Sequence, residues 1–587
     1  MNYALNNQPP RPKVSVLQAL KGLVPLLRGE RGILVFAALA TLCNSLVNLT
    51  APLLIAHIVD TYISKRQFDG MLRFSAILLV LYAAGLFTSY SQTRLMGGVG
   101  QRVLFHLRSR IFNKLQELPV AFFNANKTGD LISRINNDTD RLNQFFSQTL
   151  VQFVGSIVIM FGAAIFLLSI NFRLGLAALA PAALLVLFTR AVSPWVKRKN
   201  AESMASTGAL SAEVTESLNN FRVIVAFNRR DFFRSRFAEA NQGNYRKSIM
   251  AGIANNLFTP VFGLSSTIAQ LSVLVFSLHL ISEGEFSLGL LISYLAYVTN
   301  FYNPLRQLAA LWANFQVALA GWDRIAAILQ MQSDMPQLPA TPADSAVTGP
   351  LLEFRNVSFQ YTADRFILQH LNLTLERGKT YALVGPTGGG KTTTASLMAR
   401  LYDPTAGSVW FAGRDIRSVD PAERARRIGF ILQEPVLFSG TVRDNILYGN
   451  DEYTAMDDTQ LLAVLDSAGL SDLLQRFDGG LQAKVASAGD ALSLGQKQLI
   501  AFMRAVLRRP DLLILDEATA NIDTVTEQLL ESILHKLPVH TTRVIIAHRL
   551  NTIENADEIF FVNGAEITRA ASMHDAVDML LHKQKAS

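Results

Sequence analysis

The sequence predicts a multidomain membrane protein: an all-α domain of six transmembrane helices with long cytoplasmic helix extensions, then an α/β domain. Three observations predict it. Six apolar stretches long enough to cross lipid lie before residue 330. A polar stretch with four prolines interrupts the chain at 331–350. Beyond it, short β-rich runs alternate with helical ones, the pattern of a largely parallel sheet. Composition agrees, because 17% charged residues falls below the roughly 25% of soluble proteins. Half of the 587 residues are apolar, which excludes a disordered chain.

Residues 1–30 carry Pro9, Pro10, Pro12, Lys13, Lys21 and Arg28 among polar residues, with no small-residue cleavage pattern behind them. They read as a cytoplasmic segment rather than a cleaved leader. The first span runs from Ile33 to Ile55 without a formal charge, which at about 1.5 Å per residue crosses roughly 30 Å of hydrocarbon. The others fall near 74–96, 147–170, 174–193, 253–282 and 286–309.

Between the second and third spans lie Arg102, Arg108, Arg110, Lys114, Lys127, Arg134 and Arg141. Between the fourth and fifth lie Lys197, Arg198, Lys199, Arg222, Arg229, Arg230 and further basic residues. The alternate connectors, Asn171–Arg173 and Ser282–Glu285, are short, and the second is acidic. Positive charge collects on the cytoplasmic side, so both long segments and both termini are expected there. The expected setting is a bacterial inner (plasma) membrane. The net charge of +8 follows from this topology, with no nucleic-acid partner required. Cys43 stands alone, which leaves no internal disulfide and no cysteine metal site.

The basic segments keep apolar residues at helical spacing, as in Val103, Leu107, Ile111 and Leu115, with breakers only at Pro119 and Gly129. They are expected to prolong the membrane helices below the lipid. The expected domains are therefore 31–330 for the membrane part, a linker at 331–350, and an α/β domain at 351–587.

Within the α/β part, the buried-strand pattern Thr380–Val384 leads into Gly385, Pro386, Thr387, Gly388, Gly389, Gly390, Lys391 and Thr392, then a helical run beginning at Thr393. This is a phosphate-binding P-loop in its strand–loop–helix context. Glycines let backbone N–H groups approach phosphate, Lys391 reaches the terminal phosphates, and Thr392 is a Mg²⁺ ligand. A second strand, Leu512–Leu515, ends in Asp516, the metal partner. Glu517, one residue on, is placed to orient or deprotonate the water that attacks the γ-phosphate.

Tyr361, Gln433 and Leu492-Ser493-Leu494-Gly495-Gln496 complete the motif order of an ATP-binding cassette, and Asp523 and His548 extend it. With six spans ahead of one cassette, the chain resembles an exporter-type half-transporter of the ABC superfamily over nearly its whole length. The resemblance implies ATP and Mg²⁺ as cofactors and ATP-driven transport by alternating access. Tyr361 then stacks on adenine, Gln433 ligates Mg²⁺, and His548 hydrogen-bonds the γ-phosphate. Ser493, Gly495 and Gln496 complete the ATP site of a partner cassette. Phe122–Asp130 is similar to the family's first coupling helix, and Glu216–Asn228 sits where the second is expected.

Two positions depart from the family pattern. Leu494 replaces the first glycine of the usual Leu-Ser-Gly-Gly-Gln, putting bulk where backbone meets phosphate. Ser487 stands where exporters commonly carry glutamate. Together they favour a heterodimer with a second half-transporter over a homodimer. The expected cargo is hydrophobic or amphiphilic. Asn44, Asn48, Asn255, Asn256, His279, Asn300 and Asn303 are candidate cavity residues, or else interhelical hydrogen bonders. Phe258, Phe262, Tyr294, Tyr297, Phe301 and Tyr302 suit an amphiphile, a lipid face or an interface belt. An importer on the same fold and an ATP-gated regulator remain alternatives.

Overall fold

The computed structural model describes residues 3–5, 25, 29–340, 349–362, 365–486, 492–516, 524–546, 555–572, 574–576 and 578–579. Contacts divide the chain into two units. One joins Gln8–Gln116 with Thr128–Met331; the other joins Met1–Asn7 and Glu117–Lys127 with Gln332–Ser587.

The helical unit holds α1 (Arg31–His57), α2 (Phe68–Gln116), then, past a short segment of the other unit named α3 (Val120–Ala125), the long run α4 (Thr128–Ile170). It continues with α5 (Phe172–Asn219), the six-residue α6 (Phe221–Ala226), α7 (Arg230–Ser282) and α8 (Leu288–Leu329). Among the described residues, α1, α2, α4, α5 and α7 are long and apolar enough to cross a membrane. The sixth expected span lies in α8, whose 42 residues include Tyr294, Tyr297, Thr299, Asn300, Tyr302 and Asn303 and so read as less apolar. At 49 residues, α2 is roughly 70 Å long, more than twice a hydrocarbon core. The expected extension of this second span is therefore continuous helix.

Three buried tyrosines among these helices find partners on the backbone, as a medium without water favours. Tyr294, Tyr297 and Tyr302 are almost wholly buried. Their hydroxyls donate to the carbonyls of Asn171 at 2.8 Å, Leu49 at 2.5 Å and Ala178 at 2.9 Å. These three tyrosines thus tie α8 to α1, the α4–α5 turn and α5. Asn200 and Asn255 exchange reciprocal amide bonds at 2.9 Å, and Asn300 donates to the Asn48 carbonyl at 3.3 Å. Lower in α4, wider π-helical turns at Arg134–Asp138 and Phe145–Thr149 interrupt the α-helix. Asp138, fully buried, pairs there with Arg324 of α8 and with Arg141 at 3.3 Å.

The α/β unit carries two main sheets, besides a two-stranded ribbon of β7 (Gly440–Thr441) and β8 (Lys484–Val485). Four strands, β1 (Leu352–Phe359), β2 (Leu368–Leu375), β4 (Ala406–Phe411) and β5 (Arg414–Asp415), pair antiparallel in the order β2-β1-β4-β5. Six strands, β3 (Thr380–Val384), β6 (Ile428–Ile431), β9 (Leu512–Asp516), β10 (Thr542–Ile546), β11 (Glu558–Asn563) and β12 (Glu566–Ala570), take the order β12-β11-β3-β10-β9-β6. All are parallel except β12. Strands β3 and β9 are buried throughout, as their unbroken apolar runs require. A separate core gathers Val442, Ile446, Leu461, Leu465, Ile500, Phe502 and Met503.

The first part of the stretch read as a linker is fixed to this unit. Arg400 donates to the carbonyl of Pro336 at 2.8 Å and to Gln337 Oε1 at 2.7 Å, and Leu338 N donates to the Arg417 carbonyl at 2.9 Å.

Candidate functional site

Parallel pairing sets the carboxyl ends of β3, β10, β9 and β6 side by side, the edge where α/β sheets bind ligands. Ile546 pairs with Leu383 on one side and with Asp516 on the other. The chain leaves β3 at Gly385, φ +150°, where a Cβ would run into the Val562 carbonyl. Only glycine fits. The loop ends at Gly390, φ +108°, the left-handed N-cap of α9 (Lys391–Met398). Between them Gly389 N closes onto the Pro386 carbonyl at 3.0 Å, and Thr387 and Gly388 crown the turn, exposed.

Lys391 is buried and curls over the loop, donating to the carbonyls of Gly385 at 2.8 Å and Pro386 at 3.0 Å. Thr392 Oγ1 donates to Asp516 Oδ1 at 3.4 Å. The P-loop and the end of β9 are thereby joined. Thr393 is buried, and its hydroxyl lies 3.1 Å from that of Tyr361, so the aromatic residue stands beside the same helix. Tyr361 packs edge-on against Phe359 and Tyr402, at 4.8 and 5.3 Å between ring centroids.

Gln433 follows β6 and is exposed. Ser493, Gly495 and Gln496 lie on another element, the start of the helix Leu494–Leu507, and the structure brings none of them into contact with the P-loop of this chain. Ser493 caps that helix by a capping box: its hydroxyl accepts from Gln496 N at 3.2 Å, and its own N–H donates to Gln496 Oε1 at 3.0 Å. Leu494 is the first helical residue and is not among the positive-φ residues. A leucine there carries no backbone strain. Glu517, Asp523, His548 and Ser487 lie outside the described residues.

Sequence reasoning missed a cluster beside Tyr361. Asn124 of α3 donates to the Tyr402 hydroxyl at 2.7 Å, and burial pushes the Tyr402 phenol up from its ordinary value. The residues are 278 positions apart; Asn124 falls in the Phe122–Asp130 stretch singled out above, but no local pattern pairs it with Tyr402.

The chain matches two family models, the ABC transporter transmembrane region over residues 34–305 and ABC transporter over residues 368–520. It is 33% identical over 501 residues to a fatty acid ABC transporter ATP-binding/permease protein of Mycobacterium bovis, covering 85% of this chain and 78% of that one. It is 28% identical to a multidrug resistance ABC transporter ATP-binding and permease protein of Lactococcus lactis, covering 95% and 94%. A solved structure of a bacterial Atm1-family ABC exporter with ATP bound superposes with a TM-score of 0.76 at 25% identity, covering 94% of this chain and 96% of that one. Both expected halves thus have counterparts, in the expected order and along nearly the full length, and the chain belongs to the ABC transporter family as an exporter-type half-transporter, an integral membrane protein with an ATP-hydrolysing cassette.

Proposed function

We propose that this half-transporter exports hydrophobic or amphiphilic compounds by alternating access, driven by ATP hydrolysis between two cassettes. The observation that carries the ATP chemistry is the Thr392–Asp516 contact beside Lys391. Thr392 Oγ1 and Asp516 Oδ1, 3.4 Å apart, are oxygen donors of the kind Mg²⁺ takes. Thr392, Asp516 and Gln433 would hold the ion. When bound, Mg²⁺ supplies charge neutralisation on the phosphates.

The loop amides from Gly385 to Gly390 cradle phosphate, and Lys391 exchanges its two carbonyl partners for terminal phosphate oxygens. Tyr361 stacks on adenine, and Thr393 holds the ring by its hydroxyl. Glu517 orients and deprotonates the attacking water; His548 donates to the γ-phosphate; Asp523 completes the same site. Ser493, Gly495 and Gln496 serve the ATP of the partner cassette. A γ-phosphate held by both cassettes favours the closed pair, and the coupling helices near Pro119–Phe123 and Ser217–Val223 pass the closure to the membrane unit. The exposed apolar Phe221, Val223 and Phe227 are what a docking helix presents. The relatives' names, fatty acid in one and multidrug in the other, support an amphiphilic cargo. Cassette and termini are placed in the cytoplasm, at a bacterial inner membrane.

The partner is proposed to be a different half-transporter. Cβ atoms tilt toward a helix N-terminus, so Leu494 crowds the amides that phosphate would approach. The unstrained backbone at Leu494 and the intact Ser493 cap favour the second reading, a homodimer. Steady-state ATPase of the chain alone in lipid nanodiscs, with mass measured on the same sample and Glu517→Gln as control, tests both. The expected result is a folded, ATP-binding particle with negligible turnover. Robust turnover, lost in Glu517→Gln, from a two-copy particle means a homodimer. Turnover that survives Glu517→Gln would sink the assignment of the base.

A further inference from the structure

We infer that Tyr3 and the two residues after it form a strap that positions α3 on the cassette, so that nucleotide at Tyr361 is felt by that helix. The inference rests on the coupling role of α3 given above.

Tyr3 and Leu5 are buried, at 4% and 9% exposed. On one side the Tyr3 ring meets Phe122 of α3 edge-on at 6.4 Å between centroids. On the other its hydroxyl donates to Asp334 Oδ1 at 2.5 Å and accepts from Asp334 N at 2.8 Å. Burial pushes the phenol up to about 12, so it remains a donor at physiological pH. Asn126, at the C-terminal end of α3, completes the attachment: its amide donates to the Tyr3 carbonyl at 2.9 Å and accepts from Leu5 N at 3.0 Å. One side-chain amide thus holds the backbone at both Tyr3 and Leu5.

The opposite side of α3 touches the nucleotide site. Asn124 donates to Tyr402 at 2.7 Å, Tyr402 packs on Tyr361, and Tyr361 meets Thr393. Tyr3, Asp334, Tyr361 and Tyr402 border one cleft of about 270 Å³. The helix Val120–Ala125 has only six residues and is too short to hold its shape alone. Its position is set by what clamps it. The strap holds one side and Tyr402 the other, which makes Tyr3 a positioning residue.

Amide hydrogen exchange of residues 120–126 tests this on the full-length protein in nanodiscs, as wild type, Tyr3→Ala, Tyr3→Phe and Asn124→Ala, with and without Mg²⁺ and the non-hydrolysable analogue AMP-PNP. In the wild type the nucleotide analogue slows exchange of these amides. In Tyr3→Ala their exchange rises on the order of tenfold and no longer responds to AMP-PNP, while AMP-PNP affinity stays within about twofold. Tyr3→Phe keeps the ring on Phe122 and lies between the two. A wild-type response that survives Tyr3→Ala overturns the strap while leaving the coupling reading intact, and Asn124→Ala then shows whether Tyr402 alone carries the signal. A wild type whose 120–126 amides ignore nucleotide overturns the coupling reading and the strap with it.

Discussion

Thr392 on the first turn of α9 and Asp516 at the last position of β9 meet through side-chain oxygens 3.4 Å apart, although the two residues are 124 positions apart in sequence. Their strands are not neighbours; β10 lies between them. The contact is therefore made over the edge of the sheet, where the parallel register holds both ends level. Asp516→Asn keeps the shape and removes the charge. Turnover in the functional dimer is expected to fall on the order of 10²-fold or more, with Mg²⁺-independent nucleotide binding retained. A titration of ATPase against Mg²⁺ checks this, and an unchanged Mg²⁺ dependence would remove Asp516 from the metal site.

Leu494 tests the dimer. Leu494→Gly frees the end of the helix Leu494–Leu507 at a helix-propensity cost of about 1 kcal/mol or less at an N-terminal position. In the chain purified alone the substitution should raise ATPase activity severalfold if two copies form the working site. In a co-purified pair whose partner supplies the working signature, it should change activity by less than about twofold. Equal effects in both preparations would remove the basis for a heterodimer.

Tyr297 separates packing from cargo contact. Its ring stacks on Phe166 at 5.2 Å and its hydroxyl is spent on the Leu49 carbonyl. Tyr297→Phe should lower thermal stability by about 0.5–2 kcal/mol, the range for a hydrogen bond between membrane helices, and leave the ATPase profile unchanged. Thermal unfolding in nanodiscs with ATPase measured across a panel of amphiphiles reads both. An altered profile at unchanged stability would return Tyr297 to the cavity.

Acid should loosen the α/β unit through Glu423. Its carboxylate accepts hydrogen bonds from Arg414 and, at 2.8 Å, from Arg427, and these hold it below the ordinary value of 4.5. A carboxyl depressed in the fold adds stability above its unfolded value and loses it as pH falls through the folded one. Stability should therefore decline as pH drops below about 4.5. Glu423→Gln should lower Tm near neutrality and flatten that acid limb. Unfolding midpoints followed from about pH 7 to about pH 3 decide it, and an acid limb of wild-type steepness in the variant contradicts the assignment.

What was legible in the sequence was local. The P-loop is contiguous, and the strand before it and helix after it are apolar runs with their own periodicity, so Gly385–Thr392 could be read in place. Asp516 was readable for the same reason, as the charged end of a buried strand. The apolar spans showed themselves by length. Orientation within the bundle did not: helical spacing gives Tyr294, Tyr297 and Tyr302 a helix but not a neighbour, and burial came only with the carbonyls of Leu49, Asn171 and Ala178. The stretch at 331–350 reads as a linker because of its prolines, yet Pro336 and Gln337 are held by Arg400, whose role depends on a fold assembled after it. Leu494 showed bulk in the sequence; that its backbone is ordinary needed coordinates. Nothing in the first residues announces Tyr3, because its partners at Phe122, Asn126 and Asp334 come from three distant parts of the chain.

That scattered origin sets a timetable for biosynthesis. Helix α3 leaves the ribosome between two membrane helices, but Tyr402, which it grips, follows 278 residues later, and Asp334, which receives Tyr3, lies 331 residues beyond the start of the strap. At about 5–20 residues per second, Phe122 and Tyr3 wait tens of seconds for the surface that covers them. The membrane helices are inserted while that apolar surface is still unmatched, and the cassette, last to emerge, must collect two segments already made. A ribosome pause or a truncation before residue 402 would leave α3 without Tyr402 and open to chaperones and proteases, so quality control has a signal for an unfinished chain in that segment.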